Sequence, residues 1–589
     1  VISPSHLPSN NEIIRVLHQL VELLTLAEGS KQAFRVRAYE KAIGAVESLP
    51  MEVAELDQSD LIAVPGIGKS IAAKIREYVD TGAITTIERL RAEYPPGLVE
   101  LTRIPGLGPK TVVMLRDELG VENVDQLRGA IAADRLRDLP GLGSKSQLKI
   151  AAAIDRLGLH GKERRTPIAE ALPIAQEVVA ALEDLGTVRH VEYCGSLRRL
   201  RDTVADIDIV AAAGNAATVT EAFVALPVAA EVIVSGDTKT SVLTGDGVQI
   251  DLRVVEPGQF GAAVLYFTGS KAHNIELRQR AIGRGMLLNE YALEDQETGR
   301  TVAGRTERSI YRALGLELIP PEMREGHGEV EAAEARRLPP LVTEDAIRGD
   351  LHVHSDWSGD GRSPLDAMVA AAAARGLDYV AITEHGEDLA INGLSRERVR
   401  AERVELERLR HEYPDLLILH GAELNIGAGG DVDYDPDFLA AFDWCVASVH
   451  THFDLPEADQ TARLLTAMEN PAVSAIGHLT GRRIGHRPGI DFDLMAICEA
   501  AAATGTALEI NSHLHRLDVP AEMLLRARDV AGLRFVISTD SHHTTEFANL
   551  RWGTANARRG WVDRHAVINT WPRRDLLEFI AAKRGRSTP

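Results

Sequence analysis

Gly195-Ser196-Leu197-Arg198-Arg199, followed by Val204-Ala205-Asp206-Ile207-Asp208-Ile209-Val210, is the stretch that decides how this chain is read. The second run is β-branched and alternating, which predicts a strand, and residues i and i+2 of a strand face the same way. Asp206 and Asp208 therefore share one face and the aliphatic residues the other. Paired acids on one face suit hard divalent cations, above all beside substrate phosphates. The glycine-serine turn and the two arginines would meet those phosphates. A third acid, Asp251, stands in the similar run Val248-Gln249-Ile250-Asp251-Leu252-Arg253-Val254 and is expected on a neighbouring strand. An isolated D-x-D is more often a solvated strand; joined to G-S-x-R-R it points to nucleotidyl transfer.

The rest of the chain is too long for one core: 589 residues imply about four domains. A hydrophobic fraction of 45% is ordinary for globular protein. No apolar run approaches the length that spans a bilayer, so no membrane partner is expected. Val1 to Asn10 carries neither a basic region nor an apolar run, so no signal peptide is expected. Cys194, Cys445 and Cys498 lie far apart with no C-x-x-C, which fits a cytoplasmic protein. The net charge of −21 argues against a non-specific polycationic coat for nucleic acid, yet leaves room for a nucleic-acid enzyme whose acids hold metal. Basic residues cluster locally at Arg35 and Arg37, at Lys162, Arg164 and Arg165, at Arg573 and Arg574, and at Lys583, Arg584 and Arg586. The last group reads as a solvated tail.

From Asn11 to about Leu159 apolar residues recur at three- and four-residue spacing, which predicts helices. Three echoes punctuate them: Val64-Pro65-Gly66-Ile67-Gly68-Lys69, Ile104-Pro105-Gly106-Leu107-Gly108-Pro109 and Leu139-Pro140-Gly141-Leu142-Gly143-Ser144. Each closes one helix and opens the next, so glycine-rich amides stand at a helix start, a geometry suited to a backbone phosphate. They resemble helix-hairpin-helix motifs, which grip DNA without reading sequence. That resemblance makes Gly66, Gly68, Gly106, Gly108, Gly141 and Gly143 candidate DNA contacts.

After Gly349 histidines become frequent and sit at the ends of short apolar runs. These are Asp350-Leu351-His352-Val353-His354, Tyr379 to His385, Leu419 to Glu423, Cys445 to His450, Ser474 to His478, Ala507 to Asn511, and Phe535 to His542. Alanine-rich helical segments separate several of them. Seven strands carrying ligands at their C-terminal ends describe a barrel with its active face at those ends. His352 and His354, two apart on a strand, are placed to share a metal. A histidine-carboxylate set suits zinc, manganese or iron better than magnesium.

The first half resembles the family X DNA polymerases. Beyond Gly195, Ser196, Arg199 and the three aspartates, Tyr266-Phe267-Thr268-Gly269-Ser270, Asn274 and Arg278 carry the likeness. The resemblance implies that Asp206, Asp208 and Asp251 hold two magnesium or manganese ions, and that Ser196 and Arg199 take the triphosphate of a dNTP. It implies that Tyr266, Phe267 and Gly269 shape the sugar pocket, that Asn274 meets the incoming base, and that Arg278 faces the template. Some members also carry a lyase lysine, and Lys74 stands at its position. The second half resembles the PHP domain, a distorted seven-stranded barrel. Its nine ligand positions match His352, His354, Asp360, His385, Glu423, His450, His478, Asp540 and His542. The resemblance implies three metals, zinc or manganese, with Glu423 bridging and no protein nucleophile. Glu384 stands where aspartate is common and is not expected to be a ligand; His452, His513 and His515 enrich the rim with no assigned role.

The expected architecture is multidomain, α and α/β. Residues 1–88 form a helical DNA-binding domain and 89–165 a second helical domain. Residues 166–258 form the palm, 259–335 a thumb-like domain and 336–348 a linker, with the PHP barrel at 349–589. Pro320-Pro321 and Pro339-Pro340 bracket an acidic, alanine-rich stretch that reads as connector. The combined likeness implies a bacterial repair enzyme, monomeric, that fills gapped or nicked DNA at one centre and trims 3′ ends at the other; some relatives also cut at abasic sites. Two rivals stand beside it. In one the PHP half is a small-molecule phosphoesterase behind a DNA tether. In the other it is a structural module.

Overall fold

The structure is a computed structural model that describes residues 8, 10–30, 34–47, 53–64, 66–102, 104, 107–156, 165–236, 239–389 and 392–585. Gly106, Lys162, Arg164 and Arg586 lie outside the described residues. The chain divides into two compact units, the second beginning at Arg165.

Up to Arg156 the described residues of the first unit form only helices and the turns between them, and one apolar cluster running from Ile13 to Ile154 forms its core. The three glycine loops repeat one hydrogen-bond pattern. Ile67, Leu107 and Leu142 each donate their amide back three residues, to the carbonyls of Val64, Ile104 and Leu139. Those same three side chains are buried, pinning each loop, while Gly68, Gly108, Gly141 and Gly143 are exposed. The helices Lys69–Thr81, Pro109–Leu119 and Ser144–Arg156 then start directly after Gly68, Gly108 and Gly143. Lys74 lies half-buried on the first of these helices and donates to Thr86 Oγ1 at 2.6 Å.

The second unit opens with a mixed five-stranded sheet. Its strands are β1 (Val188–Tyr193), β2 (Asp206–Ala213), β3 (Glu231–Ser235), β4 (Lys239–Leu243) and β5 (Gln249–Val255), in spatial order β1-β2-β5-β4-β3. Strands β2 and β5 run parallel while the other pairs are antiparallel. Ile207, Ile209 and Ala211 turn to the face covered by the helix Ile168–Glu183 and are buried there.

A second, smaller layer follows. The helices Phe260–Thr268 and Lys271–Ile282 pack with Glu307–Ala313 and a three-stranded meander, β6 (Met286–Leu288), β7 (Leu293–Asp295) and β8 (Thr301–Ala303). The acidic stretch between the proline pairs contributes a helix, Glu329–Glu334, to this layer. Its Val330 and Ala333 enter the apolar core, and Glu329 Oε1 lies 2.8 Å from His273 Nδ1. That much of the expected connector is packed structure, because an acidic residue finds a buried partner there.

The remaining strands are β9 (Gly349–Val353), β10 (Tyr379–Ile382), β11 (Leu417–Asn425), β12 (Trp444–Ser448), β13 (Ala475–Ile476), β14 (Ala507–Asn511) and β15 (Phe535–Ser538). They pair in chain order, all parallel. The seam between β15 and β9 closes through other groups. The amide of Asp540 donates to the His352 carbonyl at 3.0 Å, and that of His354 to the Ser541 carbonyl at 2.8 Å. Lower down, Asn569 Nδ2 donates to the carbonyls of Gly349 (2.8 Å) and Ile537 (2.7 Å), while its Oδ1 accepts from Ile537 N at 3.0 Å. This is the seven-stranded barrel that the recurring apolar runs predict.

Candidate active sites

In the palm sheet, parallel pairing of β2 with β5 sets Asp208 directly opposite Asp251. Asp206, two residues earlier, shares that face. The three carboxylates offer oxygens within 4.8 Å of one another. Burial, then repulsion from Asp206 and Asp251, pushes the Asp208 carboxyl up to about 7. Asp251 goes the other way: burial works against ionisation, but Lys239 and Gln249 overcome it. The ammonium of Lys239 stands 2.7 Å from Asp251 Oδ2. Three crowded carboxylates of this kind are a donor set that a divalent cation relieves, so the residues fit the metals expected here.

The glycine-serine turn lies against them. Gly195 has φ +64°, and a Cβ there would overlap the Asp208 carboxylate. Arg199 is engaged rather than free: its Nη1 donates to the Thr268 carbonyl and its Nε to Glu325 Oε1 at 3.1 Å. Arg198 forks onto Glu307 at 3.0 and 2.9 Å, and Arg324 Nη1 donates to the same Glu307 Oε1. Arg199 thus fixes the Tyr266-to-Gly269 turn to the glycine-serine turn. Within that turn Asn274 Nδ2 donates to the Tyr266 carbonyl at 2.8 Å, and the Arg278 guanidinium lies over the Tyr266 ring at 5.2 Å. Phe267 meets Tyr266 edge-on with centroids 5.1 Å apart. Gly269 adopts φ +67°, ψ −150°, a region open in practice only to glycine. Ser196 is half-buried beside Gly195 on the short helix Gly195–Arg198.

In the barrel the nine predicted side chains converge at the C-terminal strand ends. Glu423 is the hub. Its Oε1 lies 2.9 Å from His478 Nε2, 3.1 Å from His450 Nε2 and 3.5 Å from His352 Nε2. Its Oε2 lies 2.8 Å from His385 Nδ1 and 3.5 Å from His354 Nε2. Asp540 Oδ1 stands 3.4 Å from His354 Nε2, while Asp360 Oδ2 faces His385 Nε2 at 3.2 Å and His542 Nε2 at 3.6 Å. Three overlapping triads result: His354, His385 and His542; His352, His354 and Glu423; His385, Glu423 and His450.

Burial would raise the Glu423 carboxyl, but His450, His352 and His385 hold it well below its usual range. His352 Nε2 and both ring nitrogens of His354 are buried with no hydrogen-bond partner among the described residues. Orphaned imidazole nitrogens aimed at shared carboxylates are what three metal positions would satisfy. Glu384 accepts from the amides of Ser355 (2.8 Å) and Ser358 (3.0 Å), and its Oε2 lies 3.9 Å from His354 Nδ1.

Sequence reading missed the groups that orient this set. Glu509 Oε1 holds His352 Nδ1 at 2.7 Å and its Oε2 accepts from the His478 amide at 2.6 Å. Asn425 Oδ1 holds His450 Nδ1 at 2.7 Å, and Asn392 Nδ2 donates to Asp360 at 2.7 Å. Glu509 sits on β14, whose alternating run was visible, but nothing in the run marks it as a partner of His352. His420, by contrast, lies away from the centre, accepting at Nδ1 from Arg403 at 3.1 Å.

A palm sheet bearing three acids, a thumb-like layer and a metal-poised parallel barrel define a nucleotidyltransferase fused to a phosphoesterase. Known families agree. The DNA polymerase beta thumb profile matches residues 263–325 and the PHP domain profile residues 350–570. A helix-hairpin-helix domain matches residues 8–84, and a SAM-like helix-hairpin-helix tandem residues 98–156. Over 573 residues, 97% of this chain and 99% of the relative, the sequence is 39% identical to the DNA polymerase/3′-5′ exonuclease PolX of Bacillus subtilis (strain 168). The chain belongs to that family, the bacterial family X DNA polymerases with a C-terminal PHP domain. It is also 24% identical to DNA polymerase lambda of Rattus norvegicus over 55% of this chain and 58% of that one. A probable phosphatase of Shewanella sediminis is 30% identical over 41% of this chain and 95% of its own length. The family implies divalent-metal dependence and DNA binding. Among the described residues no helix is long and apolar enough to cross a membrane.

Proposed function

We propose that the palm centre extends a primer on gapped or nicked DNA from dNTPs, and that the barrel centre removes nucleotides from a 3′ end. The observation that carries this is the convergence of two donor sets, three carboxylates and nine histidine or carboxylate side chains, on one chain. Asp206, Asp208 and Asp251 would hold magnesium or manganese; the barrel set would hold zinc or manganese at three positions. Bound metal supplies charge neutralisation at phosphorus and activation of the attacking oxygen. The protein groups do the rest. Ser196 and Arg199 bind the triphosphate, Arg199 trading its hold on Glu325 for phosphate oxygens. Tyr266, Phe267 and Gly269 wall the sugar, Asn274 meets the base edge and Arg278 the template strand. Lys239 keeps Asp251 ionised. In the barrel Glu423 positions the histidines around it, and Glu509 and Asn425 fix ring orientation. The glycine loops hold the duplex backbone. Neither reaction needs a lysine nucleophile, so Lys74 has no part in them. Three buried free cysteines suit a cytoplasmic enzyme.

The phosphatase match keeps one rival in view, a barrel that acts on a small phosphorylated molecule. Primer extension by Asp206→Ala/Asp208→Ala and 3′ digestion by His352→Ala/His354→Ala separate the readings. Extension is expected to vanish in the first variant and digestion in the second. Digestion that survives loss of both histidines overturns the nuclease reading; extension without both aspartates overturns the polymerase reading.

A further inference from the structure

The loop that follows Arg199 ends against the barrel. Asp202, half-buried, accepts from Arg482 Nη1 at 2.7 Å and Nη2 at 3.3 Å. Arg482 lies four residues after His478, on the same barrel loop. Its Nε donates to the Arg516 carbonyl at 2.8 Å and its Nη2 to the Leu517 carbonyl at 2.6 Å. Leu517 has φ +40°, a conformation side-chain-bearing residues rarely adopt, so this turn needs holding. Asn556 Nδ2 donates to the same Leu517 carbonyl at 3.4 Å, and Leu517 itself packs into the palm's apolar core.

The turn presents Arg516 to the metal-ligand cluster. Arg516 Nε lies 3.6 Å from Asp540 Oδ2, and its Nη1 is buried with no hydrogen-bond partner among the described residues. A guanidinium with an unused donor on the rim of a phosphoester-cleaving centre is built to take a phosphate oxygen. Arg559, at the end of the helix Leu550–Arg559, meets the same palm loop: its Nη1 donates to the Leu200 carbonyl at 3.1 Å and lies 3.8 Å from Asp202 Oδ1.

We infer that the palm residue Asp202 is a positioning residue for the barrel reaction, acting through Arg482 on Arg516, which takes a phosphate oxygen of the DNA strand being shortened. The inference rests on reading the barrel as a 3′ nuclease. Its physical content is a shared guanidinium. Arg482 grips two carbonyls of the Arg516 turn and is itself oriented by a carboxylate from the other domain. Without that carboxylate the fork loses two of its four hydrogen bonds and its counter-charge, and the Arg516 turn relaxes. The nuclease centre is thus completed by the polymerase domain.

The test uses the full-length chain, a 3′-labelled single-stranded oligonucleotide and manganese, with bound metal measured by elemental analysis and melting followed for every variant. Arg516→Gln is expected to raise KM for digestion by about tenfold, the loss of roughly one charge-assisted contact, with kcat and metal content kept; Arg516→Lys recovers part of it. Asp202→Asn and Arg482→Lys are expected to raise KM in the same direction. The double variant Asp202→Asn/Arg516→Gln is expected to be no worse than Arg516→Gln alone, because both act through one group. Arg482→Lys keeps the charge facing Asp202, so it carries the test if Asp202→Asn fails to fold. KM unchanged in Asp202→Asn and Arg482→Lys, or effects that multiply in the double variant, overturn the inference. Lost metal in place of raised KM overturns it too. If the wild-type chain digests nothing, the nuclease reading itself has failed, a result distinct from any of these.

Discussion

The carboxylate of Asp208 fills the space that a Cβ on Gly195 would need. Gly195 also holds φ +64°. Two independent constraints thus meet at one glycine, the left-handed backbone and the contact with a candidate metal ligand. Gly195→Ala must displace either Asp208 or the glycine-serine turn. A misplacement near 1 Å at reacting groups costs about a hundredfold, so extension is expected to fall by at least about that factor. Steady-state primer extension reads this, with 3′ digestion by the same preparation as the internal control.

Much of this site was legible because strands alternate. Once Asp206-Ile207-Asp208 is a strand, the shared face follows, and Asp251 lands opposite Asp208 by register alone. The barrel ligands were legible for a related reason: each closes an apolar run at the strand end where barrel sites form. What stayed hidden depends on pairings across long separations. Arg199 meets Glu325, 126 residues away, and Asp202 meets Arg482, 280 residues away. No local pattern marks such partners, because their spacing is set by the fold and not by any helix or strand period. Glu329 shows the converse error: in an acidic run it resembled solvated linker, yet it is buried against His273.

Glu307 gives the protein an acid-sensitive joint. Burial alone would raise its carboxyl, but Arg324 and Arg198 hold it down at about 2, below the usual 4.5. The folded value lies under the unfolded one, so the stabilisation is complete above pH 4.5 and is lost as pH falls toward 2. Linkage puts it at about 3 kcal/mol. Urea unfolding of wild type and Glu307→Gln is expected to differ by roughly that amount at pH 6, with the gap narrowing steadily on approach to pH 2. A gap independent of pH between 5 and 2 contradicts this account.

Glu509 offers a test of the barrel centre that leaves every expected ligand in place. It holds His352 Nδ1 and the His478 amide. Outer partners of this kind tune affinity, and Glu509→Gln is expected to weaken metal binding by about 10- to 100-fold. Competition with a chromogenic chelator measures it directly, and 3′ digestion is expected to recover when metal is raised. Removing all metal with EDTA is expected to silence both centres.

Asn569 closes the barrel seam with three hydrogen bonds to Gly349 and Ile537, all buried. Asn569→Ala leaves buried backbone groups unpaired, at about 1–3 kcal/mol each. The calorimetric transition of the barrel is expected to move down by several degrees, with metal content retained in the folded fraction.

Gly68 and Gly108 are N-cap residues whose dihedrals do not demand glycine. Their backbones have φ −83° and −74°, open to any residue. A Cβ at either position would meet nothing within 4 Å. Each stands directly before a helix, on a face where a bulky side chain disturbs no protein neighbour. A glycine with ordinary dihedrals and empty space around it is explained by something that approaches the backbone from outside. Phosphates of a duplex are the ligand such amides suit. Gly68→Val and Gly108→Val are therefore expected to lower melting only by the loss of a glycine N-cap, about 1 kcal/mol each, while weakening binding to a gapped duplex by about tenfold for the pair. The loss is expected to be equal for duplexes of different sequence, because backbone contacts carry no base information. Fluorescence anisotropy at several salt concentrations reads it. Full affinity in the double variant removes these two loops from the DNA interface.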